Sequence, residues 1–265
     1  MNESPEPIVR ARNLSKRFGG LMAVRGLDLD LYPGRLLGVI GPNGAGKSTA
    51  INLLTGHARP TTGQVLVDGQ DLTAARPWRF ARAGVARTFQ IVKPFRGMTV
   101  ADNVAVGALF RARTDGGRRT VTAARRAALE TLDRVGLGGK GDLAPAELST
   151  ADARRLELAK ALALRPRVLL LDEVLAGLRR GEIDPALQLI DSLRRDGLAL
   201  MMVEHVMHAV ATICDEVVVL HHGEVLTTGK PAAVFSDDRV IQAYLGERFA
   251  RRAAEARRAT EGNVR

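Results

Sequence analysis

Two short stretches combine residue types that do chemistry at fixed spacing. The first, Gly41-Pro42-Asn43-Gly44-Ala45-Gly46-Lys47-Ser48, is a glycine, four residues and then Gly-Lys-Ser. Glycines let successive backbone N–H groups curl around a phosphate, and a helix starting at Lys47 would add positive partial charge from its N-terminus. Lys47 would reach the β- and γ-phosphates of a nucleotide, and the Ser48 hydroxyl would ligate Mg²⁺. The second stretch, Val168-Leu169-Leu170-Leu171-Asp172-Glu173, is an apolar run ending in two carboxylates. Asp172 would support the metal, and Glu173 would polarise an attacking water as general base. The pair of stretches points to hydrolysis of a nucleoside triphosphate. No Asn-Lys-x-Asp segment that would read guanine occurs.

Both stretches need a sheet to hold them. Apolar segments near Ile8–Arg12, Val24–Leu31, Leu36–Ile40, Gln64–Val67 and Val85–Phe89 read as strands, with a turn at Asp68-Gly69 and a helix from Lys47 towards Gly56. Between about Val100 and Leu164 the strand signal vanishes and helices take over, broken at Gly116-Gly117 and Gly136–Gly141. Strands return at Val168–Leu171, Leu198–Val203 and Glu216–Leu220, each separated by helix-like sequence such as Glu182–Arg195. The pattern is α/β with a helical insert. The phosphate loop then follows a buried strand, and the carboxylates end another, where open α/β sheets place their ligands.

With these motifs in order, the chain resembles the ATP-binding-cassette (ABC) ATPases over residues 8 to about 246. Thr88-Phe89-Gln90 resembles the family's Q-loop, Val203-Glu204-His205 its switch histidine, and Leu148-Ser149 the opening of its signature. Phe18 lies where an aromatic stacks on adenine. The resemblance implies a P-loop NTPase (RecA-like) core with an N-terminal antiparallel β subdomain and a helical subdomain inserted at about 95–165. It implies ATP and Mg²⁺ held by Gly41 through Ser48 with Thr49, and by Gln90 and Asp172, with Gln90 sensing the metal and water and His205 contacting the γ-phosphate. It also implies that two cassettes pair head to tail, Ser149 acting on the nucleotide of the opposite chain. Phe18–Val24, Arg87–Gln90, Phe95–Val100 with Asn103, Arg154–Glu157 and Ala243–Gly246 look like the ATPase subunits of branched-chain amino-acid importers. Cassettes of urea or amide importers and of lipid exporters share much of this. Integral permease subunits, a second cassette in a homo- or heterodimer, an indirect solute-binding protein and a peripheral place on the cytoplasmic face of the cell membrane follow from the resemblance. A non-transport ABC ATPase is the rival class, but one P-loop and no sustained heptads oppose it.

The chain departs from the family in three places. The usual Leu-Ser-Gly-Gly-Gln reads Leu148-Ser149-Thr150-Ala151-Asp152. Ser149 can still cap the following helix, and Asp152 could complete a capping box. A carboxylate near a nucleotide is unfavourable unless turned away or screened. Val174 replaces the proline usual after the Asp-Glu pair, and Arg179 replaces the usual Asp or Asn after Ala176-Gly177-Leu178. These departures suggest a weakened contribution across a homodimer and a preference for a non-identical partner.

Composition sets the outer limits. The 265 residues are 46% hydrophobic and 26% charged, which excludes disordered, collagenous and membrane-spanning classes. The single cysteine, Cys214, permits no internal disulfide and should pack at a strand start. Residues Met1–Pro7 have neither the basic nor the apolar region of a secretory leader, so none is expected. His57, His208, His221 and His222 show no metal-site spacing. The formal charge is +10, and residues 111–126 carry six arginines against Asp115 while residues 247–265 carry six against three glutamates. Neither segment interleaves aromatics, so no nucleic-acid partner is expected. A solvated surface or attraction to an anionic leaflet explains the charge, the 247–265 tail being the candidate anchor.

Overall fold

The computed structural model describes residues 6–90, 92–114 and 120–244. β1 (Val9–Phe18) turns at Gly19-Gly20 into β2 (Leu21–Leu31), and the two pair antiparallel. β3 (Leu36–Ile40) leads through the glycine-rich loop into α1 (Lys47–Leu54). β4 (Thr62–Val67) pairs with β1 and, across the Asp68-Gly69 turn, with β5 (Gln70–Asp71). α2 (Pro77–Arg82) begins on a proline, whose fixed φ suits a first helical turn, and β6 (Val85–Arg87) follows. Next come α3 (Val100–Thr114), α4 (Val121–Arg134), a 3-10 turn at Pro145–Glu147 and α5 (Thr150–Leu162). β7 (Val168–Asp172), α6 (Arg180–Arg195), β8 (Ala199–Val203), α7 (Met207–Ile213), β9 (Glu216–His221), β10 (Glu224–Gly229) and α8 (Pro231–Phe235) complete the order.

The strands form two sheets. One is antiparallel, β2-β1-β4-β5; the other runs β10-β9-β3-β8-β7-β6 and is parallel except at the β9–β10 edge. The core strands of the second sheet alternate faces with the period of two that a pleat imposes. Leu36 and Ile40 of β3, Leu169 and Leu171 of β7, and Leu200 and Met202 of β8 pack towards the helices α3 to α6. Leu37, Val39, Val168, Leu170, Met201 and Val203 pack towards α1 and the antiparallel sheet. Both faces are covered, which is why these strands read as unbroken apolar runs. Because β3, β6, β7 and β8 are parallel, the chain leaves all four at the same edge. That edge receives the glycine loop, Thr88–Gln90, Asp172-Glu173 and Glu204-His205.

Side chains fasten the segment that follows Gln90. Asn103, 1% exposed, accepts the Phe95 N–H at 2.7 Å and donates to the carbonyls of Phe95 and Thr99 at 3.1 and 2.9 Å. Glu157 on α5 accepts the Lys93 N–H at 3.1 Å and pairs with Lys160 at 2.7 Å.

The expected strands occur, with corrections of extent, β2 beginning at Leu21 rather than Val24. β1 continues to Phe18 through register shifts against β2 that simple alternation does not reveal, and β6 stops at Arg87. The helical stretch between β6 and β7 matches the strand-free sequence, and Gly136–Gly141 forms turns. Four elements were not expected: β5, β10, α2 and α8, while α7 fills the helix-like stretch expected between β8 and β9. Each is short, and β10 is an exposed edge strand whose burial leaves no clear period. Gly116-Gly117, part of the arginine-rich 111–126 segment and the 247–265 tail lie outside the described residues. Cys214 is buried between α7 and β9, and burial with Asp215 beside it pushes its thiol up to about 12, so it stays protonated. Among the described residues, no helix is long and apolar enough to cross a membrane.

Candidate active site

The glycine loop wraps the N-terminus of α1 in a form only glycine permits at two points. Gly41 takes φ 150° and Gly46 φ 103°; a Cβ at 41 would lie 2.1 Å from the Leu220 carbonyl oxygen, and one at 46 would lie 2.4 Å from that of Ala23. The loop is strapped from outside by the Gly223 N–H, which donates to the Ala45 carbonyl at 3.1 Å. Lys47 is 6% exposed, and its Nζ donates to the carbonyls of Gly41 and Pro42 at 2.6 and 2.8 Å. Its ammonium is thereby folded over the concave face of the loop. Asn43 and Gly44 are exposed at the tip, Ser48 is exposed on the first turn of α1, and Thr49 is half-buried. A curled loop, an α1 N-terminus and a buried ammonium make a cradle for a polyphosphate.

Beside it, β7 delivers the two carboxylates to different surroundings. Asp172, 4% exposed, is paired by Arg87 at 2.9 Å, and the same guanidinium donates to Asn52 Oδ1 at 2.7 Å. Burial pushes the Asp172 carboxyl above the usual carboxylate range, with Arg87 opposing. Glu173 leaves the strand with φ 51°, a left-handed conformation that costs a glutamate free energy and is held here by the Glu173 N–H donating to the Val203 carbonyl at 2.9 Å. Its Oε2 accepts from Gln90 Nε2 at 2.6 Å, and its Oε1 lies 2.9 Å from His205 Nε2. Three residues expected from the sequence thus meet through side chains from three separate strand exits. A carboxylate held between an amide and an imidazole, 17% exposed, can orient a water and take its proton.

Other expected residues stand apart from that cluster. Phe18 is half exposed at the tip of β1, its ring under Lys16 Nζ at 4.9 Å, on the hairpin that touches Gly46 through Ala23. Ser149 caps α5 by accepting the Asp152 N–H at 3.1 Å and does not join Glu173 within one chain. The Asp152 carboxylate makes other contacts, with Lys140 at 2.6 Å and Arg155 at 3.5 Å. Burial raises this carboxyl, but Lys140 and its other partners outweigh that and hold it below the usual range. It is the screened carboxylate that the altered signature required. Arg179 is exposed before α6, where its N–H donates to Glu182 at 2.7 Å.

Four residues were missed as parts of this site. Arg87 and Asn52 brace Asp172; Arg154 on α5 donates to the Gln90 carbonyl; Glu204 is 1% exposed behind His205. A charged residue predicted on a buried strand end was the available signal for Arg87 and Glu204.

Known proteins decide what this arrangement belongs to. Residues 24–176 match the family model described as ABC transporter. The chain is 38% identical over 252 residues to the high-affinity branched-chain amino acid transport ATP-binding protein LivG of Escherichia coli (strain K12), covering 91% of this chain and 99% of that one. The chain belongs to the ABC transporter family. This cassette also matches a second family model, described as branched-chain amino acid ATP-binding cassette transporter, over residues 224–250. Its fold superposes on a nucleotide-free ATP-binding cassette from an ABC transporter with TM-score 0.81 at 27% identity, covering 90% of this chain and 98% of the other. It superposes on a dimeric, post-hydrolysis cassette bound to ADP and Pi with TM-score 0.76 at 26% identity, covering 84% and 98%. The cassette is therefore the nucleotide-binding, ATPase part of a transporter.

Proposed function

We propose that this cassette powers import of branched-chain or other amino acids, hydrolysing ATP with Glu173 as general base. The observation that carries the catalytic part is the Glu173 carboxylate held by Gln90 at 2.6 Å and His205 at 2.9 Å beside the glycine loop. The amides of residues 41–48 and Lys47 would bind the phosphates, Thr49 would extend that cradle, and Phe18 would stack on the adenine. Ser48, Gln90 and Asp172 offer only oxygen donors, a set that suits Mg²⁺, and the metal when bound supplies charge neutralisation on the β- and γ-phosphates. The ionised Glu173 accepts a proton from water while His205, as the Nε2–H tautomer, donates to Glu173 and then to developing charge on the γ-phosphate. Ser149, at the N-terminus of α5, would serve the nucleotide of a second cassette.

Substrate and partners rest on likeness. LivG is a branched-chain amino acid transport ATP-binding protein, and the 224–250 match carries the same description. We assign integral permease subunits and a second cassette as direct partners, a solute-binding protein as an indirect one, and a peripheral position on the cytoplasmic face of the inner membrane. The proposed division is a cassette over 8–246, with a helical subdomain at about 95–165, and a basic tail at 247–265. The decisive test is steady-state ATP turnover of the full chain against Glu173→Gln. Turnover should fall at least about a hundredfold with ATP binding retained; a variant as active as the wild type would overturn the assignment. Co-expression with its permeases and uptake of labelled leucine against labelled urea tests the solute.

A further inference from the structure

Where the β7–β8 ladder ends, a buried carboxylate continues the connection. Asp172 is in register with Val203, and the Glu173 N–H donates to the Val203 carbonyl at 2.9 Å. The next side chain on the β8 side is Glu204, 1% exposed. Its Oε1 accepts the Leu175 N–H at 2.8 Å, and its Oε2 accepts the His205 N–H at 3.3 Å. Leu175 lies two residues after Glu173, in the loop that leads to α6. Leu175, Leu187 and Ala209 form a small apolar cluster there, with Val174 and Val206 packed against it. One carboxylate therefore spans the two loops whose side chains, Glu173 and His205, meet at 2.9 Å.

The choice of a glutamate here is costly. Among the described residues no lysine or arginine pairs with it directly, Arg154 acting only from a distance, and a buried carboxylate whose hydrogen bonds come from two amides sits far from its preferred solvent. A side chain that only filled space would do better as an apolar one. We propose that Glu204 is a positioning residue for ATP hydrolysis: its carboxylate clamps the Leu175 and His205 amides and so keeps Glu173 and His205 at hydrogen-bonding separation. This rests on the reading of Glu173 as general base.

Burial pushes the Glu204 carboxyl up to about 7; the amides of Leu175 and His205 oppose this, Glu173 at the end of β7 adds to it, and Arg154 on α5 opposes it. Cys214, after α7, also feels this charge and stays a neutral thiol. Protonation turns one acceptor oxygen into a donor facing an N–H, which slackens the clamp. Turnover should therefore rise with pH through about 7.

The test uses the full chain as wild type, Glu204→Gln, Glu204→Asp and Glu173→Gln. The isosteric Glu204→Gln presents an amide NH₂ where one N–H needs an acceptor. Its kcat should fall about tenfold with KM for ATP unchanged, and the rise of kcat through neutral pH should disappear. Hydrogen exchange at the Leu175 and His205 amides should quicken, and Glu204→Asp should restore part of the pH dependence. A folded, ATP-binding Glu204→Gln with wild-type kcat and pH profile, or a defect in KM alone, overturns the proposal. If Glu173→Gln is inactive while Glu204→Gln is normal, only this inference fails. Full turnover by Glu173→Gln removes the general-base reading and this inference with it.

Discussion

Asp172 and Glu173 are adjacent in sequence and opposite in surroundings. Asp172 turns inward to Arg87, both side chains being 10% exposed or less, while Glu173 turns towards Gln90 and His205. Burial moves both members of the Arg87–Asp172 pair towards their neutral forms, so the pair fixes the carboxylate's place more than it stabilises the fold. Removing one partner still strands the other. Arg87→Met should lower unfolding free energy by about 3 kcal/mol in urea titration, with loss of ATP turnover. Glu204 makes a second prediction. Its carboxyl is raised to about 7, so the folded chain holds that proton more tightly than the unfolded chain does. The resulting stabilisation is complete below the ordinary carboxylate range and is lost as pH rises through about 7. Thermal unfolding should therefore show the wild type losing stability relative to Glu204→Gln between about pH 5 and about pH 8. Gln90 and His205 came from the resemblance to ABC ATPases, whereas the motif residues Lys47, Asp172 and Glu173 were legible because their spacing around strand ends is itself informative. Arg87, Asn52, Arg154 and Glu204 were not, since Arg87 meets a carboxylate 85 positions away and no local pattern records that.

At the scale of elements, the site is made by strand exits and helix starts. The glycine loop works only if its backbone can pass close to β2 and β9. Gly46→Ala places a Cβ 2.4 Å from the Ala23 carbonyl oxygen at φ 103°, so equilibrium binding of a fluorescent ATP analogue should be lost. At α5, Ser149 holds the first turn through the Asp152 N–H at 3.1 Å. Ser149→Ala should cost about 1 kcal/mol in urea denaturation of the full chain. The Asp152 contacts change what the altered signature means. With Lys140 and Arg155 against it, the carboxylate brings little free charge to a nucleotide, and the remaining departures are the Cβ atoms of Thr150 and Ala151 and the exposed Arg179. Long elements with both faces buried were readable from the chain; β10 and the short helix α8 were not, because five or six residues at an edge carry no resolvable period.

For the whole molecule, two sheets enclose one apolar layer while helices α3 to α6 cover the outer face of the parallel sheet. Ser149 and Glu173 do not meet within one chain, so the proposed catalysis needs a second cassette. With the signature altered at residues 150 to 152, ATP turnover of the chain alone should be low and should rise on mixing with a non-identical cassette from the same transporter. Full activity as a homodimer would remove that preference. The +10 charge takes on a narrower meaning: Arg125 is neutralised by Asp102 at 2.6 Å and Asp142 at 2.5 Å, while Arg126 faces solvent. The order of apolar runs, glycines and carboxylates by itself determined an α/β nucleotide-binding chain with a helical insert and the identity of its phosphate loop, since pleat and helix periods and the steric freedom of glycine are local properties. Only the tertiary structure decided which carboxylate is paired by arginine, which is shared by Gln90 and His205, and which is buried as a clamp. Those outcomes depend on parallel strands, distant in sequence, bringing their exits to one edge, where distance and desolvation rather than spacing govern each charge.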